Sequence, residues 1–160
     1  MSLEYLKQKL EQTHAIQWQV AAQFFVYITA VPFPFHLYAK EISFTPIEIE
    51  TDQFKVGSRI FTLPNGTQPV EISMTVKEDE AGTCWNYFHQ WSKQVAQASG
   101  TFQVLTKMRR EIVIATLKED GTKTGVVGHY SVYPTRVGEL SLSVESSNQL
   151  LEFPVTLIET

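Results

Sequence analysis

Cysteine occurs once in the 160 residues, at Cys84, and aspartate only three times, at Asp52, Asp79 and Asp120. One cysteine excludes an intramolecular disulfide framework and any multi-cysteine zinc site. The three aspartates stand 27 and 41 positions apart, so they supply no paired-carboxylate motif. Basic residues are scarce too. Thirteen Lys and Arg against 17 Asp and Glu leave a formal charge of −4, without the positive field of a general nucleic-acid binder. Long apolar runs are missing. The most apolar stretch, 21–37, is interrupted by Gln23, Pro32, Pro34 and His36, which excludes a membrane helix of about 20 apolar residues and implies no membrane insertion. No basic segment precedes an apolar run at the start, as a secretory signal requires. With no disulfide framework, assembly in a reducing cytoplasm is expected. Neither an internal repeat nor a shift of composition marks a boundary, so residues 1–160 are expected to fold as one domain.

The residues present favour strands. The chain is 43% hydrophobic and 12% aromatic, and 41 of its residues are β-branched Val, Ile or Thr, enough for a sizeable core rich in sheet. Residues 2–13 carry Leu3, Leu6 and Leu10 on one helical face behind a Ser2 cap, so residues 1–14 read as an N-terminal helical segment. Such a short helix is marginal alone and must dock on something. From residue 16 the period becomes two. Trp18, Val20, Ala22, Phe24, Val26 and Ile28 alternate with Gln17, Gln19, Ala21, Gln23, Phe25 and Tyr27, and the apolar character of both faces over 24–28 implies that both are covered. Phe35, Leu37, Ile42, Phe44, Ile47 and Ile49 continue the strand signal.

Leu63-Pro64-Asn65-Gly66 predicts a tight turn, because Asn-Gly tolerates positive φ. Val70, Ile72, Met74 and Val76 then alternate with Glu71, Ser73, Thr75 and Lys77, a strand with one dry and one wet face. Glu78-Asp79-Glu80 places three carboxylates where a helix dipole favours them. The helix they predict, 78–99, carries Cys84, Phe88, Trp91 and Val95 on one stripe, with Trp85 and Ala98 beside it and Gly100 as C-cap. Residues 112–117 lead through Asp120-Gly121 into a return strand over 125–133, with a loop at 134–138. Leu140, Leu142 and Val144 alternate with Ser141, Ser143 and Glu145, and a last strand follows the 146–148 turn. The expected class is mainly β: an antiparallel sandwich or barrel with one flanking helix and a short N-terminal helix.

Chemistry is sparse. His14, His36, His89 and His129 share no metal-ligand spacing. Cys84 lies on the helix stripe and reads as a buried thiol without a local base. Gly125-Val126-Val127-Gly128 does not join a strand to a helix, so it is no phosphate cradle. Glu48 and Glu50 share a strand face, read as solvated. Lys107-Met108-Arg109-Arg110 is the one basic cluster, either a solvated strand start or a contact with an acidic patch on a partner. The residues argue for no catalysis, no metal and no cofactor.

The closing segment resembles phage tail tube proteins. The resemblance is carried by Tyr133-Pro134-Thr135-Arg136-Val137-Gly138-Glu139-Leu140, then Ser147-Asn148-Gln149, then Glu152-Phe153-Pro154-Val155-Thr156-Leu157. Asp79-Glu80-Ala81 opening a helix with Phe88 and Trp91, and Trp18-Gln19-Val20 after the N-terminal helix, are similar to the same family. Tyr133 stands where the family often has Trp, and the aromatic run 24–38 is richer than its pattern. The resemblance implies a virion protein that forms homo-hexameric rings, stacks them into a tube, meets sheath and baseplate hub, and lets DNA pass without specific binding. It leaves open a baseplate tube initiator or a type VI secretion tube protein. A monomeric ligand-binding barrel, with a pocket at Trp18, Phe25 and Tyr27, is an alternative of another class. Under the family reading Phe25, Tyr27, Arg109 and Arg110 are candidate subunit contacts. Glu71 and Ser73, with Glu139 and Ser141, are candidates for a lumen face or for plain solvent exposure.

Overall fold

The computed structural model describes residues 2–15, 19, 21, 23–97, 100–101, 104–145 and 149–160. Helix α1 (Leu3–His14) is followed by β1 (Phe24–Ile28), a 3-10 turn (Phe35–Leu37), β2 (Ala39–Phe44), β3 (Ile49–Val56), β4 (Arg59–Thr67) and β5 (Glu71–Lys77). Then come α2 (Thr83–Val95), the single turn α3 (Leu105–Met108), β6 (Arg110–Leu117), β7 (Lys123–Val137) and β8 (Glu152–Glu159). The architecture is mainly β and antiparallel, with α2 as its flanking helix.

Six strands form one sheet in the order β1-β6-β7-β8-β5-β2, and β3 pairs only with β4. Strand alternation sends Ile72, Met74 and Val76 of β5 to the same face as Phe153, Val155 and Leu157 of β8, their register partners, and all six are buried. Val26 and Ile28 of β1 face Ile114 and Ile112 of β6 in the same way. This apolar face receives the α2 stripe. Cys84, Phe88, Trp91 and Val95 are the buried residues of the helix. Phe88 stands edge-on to Phe35 at 5.7 Å between ring centroids, and Trp85 edge-on to Phe153 at 5.6 Å. Each such apolar side chain taken from water contributes roughly 1.5–3 kcal/mol, so the sheet–helix contact is the core.

Several expectations are corrected. Helix α2 begins at Thr83, after Gly82 in the left-handed region at φ 71°, not at Glu78. It ends at Val95 with Ala96 as C-cap, so Gly100 caps nothing. Phe35 and Leu37 belong to the 3-10 turn and not to a strand. The turn expected at 63–66 lies inside β4. Thr51 pairs with Pro64 and Glu50 with Gly66, leaving Asn65 as a bulge. The hairpin instead reverses at Gly57-Ser58, since Val56 pairs with Arg59 and Gly57 takes φ 64°, the conformation a two-residue loop needs. Residues 134–137 are not a loop but the end of β7, bulged between Pro134 and Arg136. Leu140, Leu142 and Val144 form no strand. Leu142 and Val144 are exposed. The Asp120-Gly121 turn is present, with Leu117 paired to Lys123 and Gly121 at φ 83°. Trp18, Val20, Ala22, Ala98, Ser147 and Asn148 lie outside the described residues.

Gly138 is required by packing and not by φ. Its N–H donates to the Pro154 carbonyl at 2.6 Å. A Cβ there would lie 2.6 Å from that same oxygen and against the Pro154 ring. Gly138→Ala should therefore destabilise the protein by about 1–3 kcal/mol, as overpacking does. Gly125→Ala, where a Cβ meets nothing within 4 Å, should leave stability unchanged or slightly raised. Urea midpoints of the two variants check the pair.

Candidate assembly surfaces

The elements that hold α2 in place also settle the basic cluster. Glu78 and Asp79 precede the helix yet cap it. Glu78 accepts from the Cys84 N–H at 3.1 Å and the Trp85 N–H at 2.6 Å. Asp79 accepts from the Thr83 N–H at 3.0 Å and the Thr83 hydroxyl at 2.7 Å, and from the Tyr38 hydroxyl at 3.0 Å. These hydrogen bonds, first that from the Thr83 backbone, hold the Asp79 carboxyl at about 2. At the other end of the helix Arg110 lies over two rings, 5.0 Å from the Tyr87 centroid and 4.8 Å from that of Trp91. It also donates to the Tyr87 hydroxyl and, at 3.3 Å, to Gln94. Trp91 Nε1 donates to the Met108 carbonyl at 2.7 Å. Arg110 thus clamps α2 to β6 within the subunit, whereas Arg109 beside it is exposed.

The outer face of the sheet divides in two. On β1, Phe25 and Tyr27 point away from the core residues Val26 and Ile28. Phe25 is partly covered by its own chain, with His36 at 4.9 Å between ring centroids and the Lys123 ammonium 4.3 Å above the ring. Tyr27 is half exposed. Farther along, Glu71 and Ser73 are exposed on β5. Ser73 faces Ser43 of β2 and Thr156 of β8 in register. A shallow polar cleft joins these strands to the hairpin base, lined by Ser43, Thr45, Glu48, Gln68, Glu71 and Ser73. Glu139 and Ser141 are exposed on the irregular segment after β7 and not on a strand face. They share no register pairing with Glu71 and Ser73.

Within the closing motif Pro134, Gly138 and Phe153 are buried, and Tyr133 and Leu140 partly so. Asn148 lies outside the described residues. Among the described residues no group of three or more His, Cys, Asp or Glu is placed to hold a metal. Burial, then the nearby Glu78 and Asp79, push the Cys84 thiol up to about 12, which leaves it without thiolate character.

Uncovered surfaces remain among the described residues. The six-stranded sheet ends on β1 and β2, and the outer side of each pairs with no described strand, which leaves a row of backbone groups open. The β3–β4 hairpin has no buried residue, although it carries Phe54, Val56, Ile60, Phe61 and Leu63. Helix α1 has none either, with Leu3, Leu6 and Leu10 exposed. The hairpin is the feature that sequence reasoning missed. Its signal was Gly57-Ser58 between two short runs with exposed apolar residues, 54–56 and 59–63, masked by the stronger-looking Asn65-Gly66.

No family model and no curated protein sequence matches the chain. Solved structures do. The chain is similar to the tube-terminating cap of the anti-feeding prophage, with a TM-score of 0.67 and 21% identity over 91% of this chain and 89% of that one. It is also similar to a component of the sheath-tube complex, in the extended state, of the extracellular contractile injection system PVC, at TM-score 0.65 and 17% identity over 94% and 93%. A chain of the anti-feeding prophage baseplate gives 0.59 and 18% over 91% and 93%. The chain has the tail-tube fold of contractile injection systems. Coverage of about nine-tenths or more of this chain in each case means that most of the fold is shared. At these identities the likeness is one of backbone.

Two predictions come from the packing around α2. Arg110→Ala should cost about 1–2 kcal/mol, the combined loss of its ring contacts and hydrogen bonds, while Arg109→Ala stays within about 0.5 kcal/mol. Thermal melts decide between them. Asp79 titrates lower in the folded chain than the usual 3.8, at about 2. Its stabilising contribution is therefore full above the ordinary carboxylate range and is lost as pH falls toward 2. Asp79→Asn should lower the melting temperature at neutral pH and narrow its deficit against the parent between about pH 4 and 2. A deficit constant across that window would deny the link.

Proposed function

We propose that this chain is a structural subunit of a phage-tail-like tube, acting by self-association and without catalysis. The observation that carries the reading is the pair of open edges, β1 and β2, on one sheet of the tail-tube fold. Joining the β2 edge of one copy to the β1 edge of the next removes both unpaired rows at once and repeats around a ring. Six copies close the ring, in keeping with the six-fold symmetry imposed on the similar baseplate particle. Rings stack into a tube. The polar outer strip with Glu71 and Ser73 suits a lumen, and the chain's charge of −4 disfavours sticking of DNA in transit. Sheath and baseplate hub are the expected partners, in the tail of a virion assembled in the host cytoplasm. No cofactor is required.

The likeness to a cap and to a baseplate chain supports a second reading, a single ring at one end of the tube, such as the tube initiator. The type VI secretion reading has no such support here. The ligand-binding reading is weakened by Phe25 and Tyr27 facing away from the core.

Negative-stain imaging of the purified protein tests the proposal. The expected particles are rings about 80–100 Å wide, from six domains each roughly 30 Å across. Stacked tubes favour the repeating subunit, and single rings an end ring. A monomer at high concentration overturns the reading.

A further inference from the structure

Helix α1 and the β3–β4 hairpin share an unusual condition. Each is an element too small to be stable in water by itself, and neither buries a single residue. Each nonetheless has an apolar side. On the hairpin, Phe54 and Phe61 are register partners with stacked rings 5.5 Å apart. Alternation puts Val56 and Leu63 on the same face, and all four are exposed. On α1, Leu3, Leu6 and Leu10 form one stripe, also exposed. The two surfaces match in size. Residues 52–56 of the hairpin run about 14 Å at ~3.4 Å per residue. Leu3 to Leu10 rise about 10 Å along the helix at 1.5 Å per residue, and a two-stranded ribbon is about as wide as a helix.

Charge also matches. Asp52 ends the apolar face of the hairpin on one side, two residues from Phe54 and opposite Leu63, and Arg59 ends it at the turn, opposite Val56. Lys7 flanks the leucine stripe of α1 by helical periodicity. Among the described residues neither Asp52 nor Lys7 has an ion-pair partner. We infer that α1 of one copy docks on the Phe54–Phe61 face of the hairpin of a second copy, with Lys7 beside Asp52. The inference rests on the self-association proposed above and names one contact that carries it. Every copy offers one α1 and one hairpin, so the contact either repeats from copy to copy or closes reciprocally between two copies.

Cross-linking of full-length variants that each carry one added cysteine tests this. The native Cys84 is buried and so does not react with a short bis-maleimide. Leu6→Cys and Phe61→Cys proteins are prepared separately, then treated alone and after mixing, and each sample is imaged. The expected result is a covalent dimer in the mixture that neither variant yields alone, and a loss of that dimer when Lys7→Glu is added to the Leu6→Cys chain. Restoring it with Asp52→Lys on the Phe61→Cys chain would establish the register. Particles by negative stain without a mixed dimer would overturn the α1–hairpin contact and leave self-association standing. Absence of both particles and cross-link would remove the self-association reading and this inference together. A dimer formed by either variant alone would also overturn it, because it would show like surfaces meeting.

Discussion

The packing of the α2 stripe against one face of the six-stranded sheet is the constraint on which the rest depends. Phe88 and Trp91 are wholly enclosed between the helix and strands from both ends of the chain, β1 to β8. The clamps at the two ends of α2 are polar and serve this contact. Glu78 and Asp79 satisfy the free N–H groups of the first turn, and Arg110 covers the last rings. With one face of the sheet spent on the helix, the other face, both edges, the hairpin and α1 take no part in this contact.

That division explains why a chain so poor in chemical groups is so rich in exposed apolar ones. A lone domain seldom tolerates a hairpin with six large apolar residues in water and a leucine-striped helix without a bed. In a repeating assembly the same features are interfaces. The core and the uncovered apolar surface use separate residues. Arg110 illustrates the separation. In the sequence it looks like half of a surface pair with Arg109, and in three dimensions it belongs to the core clamp while Arg109 does not.

Where one local rule acted without competition, the sequence was legible. Strand β5 alternates cleanly because one face is wet and the other dry. The α2 stripe at i, i+4, i+7 and i+11 survives because all four residues meet the sheet. The Asp120-Gly121 hairpin forms where its turn residues stand. Reading failed where two local signals competed and a long-range contact chose between them. Asn65-Gly66 is a good turn pair, yet pairing of Phe54 with Phe61 moves the reversal to Gly57 and reduces Asn65 to a bulge. Leu140, Leu142 and Val144 alternate like a strand, but β8, which follows them in the chain, is already paired on both sides by β5 and β7 and cannot take them as a neighbour. Pro134 suggested a loop, and a bulge beside it lets β7 continue.

By itself the sequence determined a strand-rich composition, the identity of the helix anchor and the two faces of the clean strands. These depend on periods of two and 3.6, which are local. Only the tertiary structure decided which apolar residues belong to the core and which are left for neighbours. Burial is a property of what comes to lie opposite a side chain. Phe54 and Phe88 look alike in sequence, and one is half exposed while the other is enclosed because α2 meets a sheet and the hairpin meets nothing within its own chain that buries it.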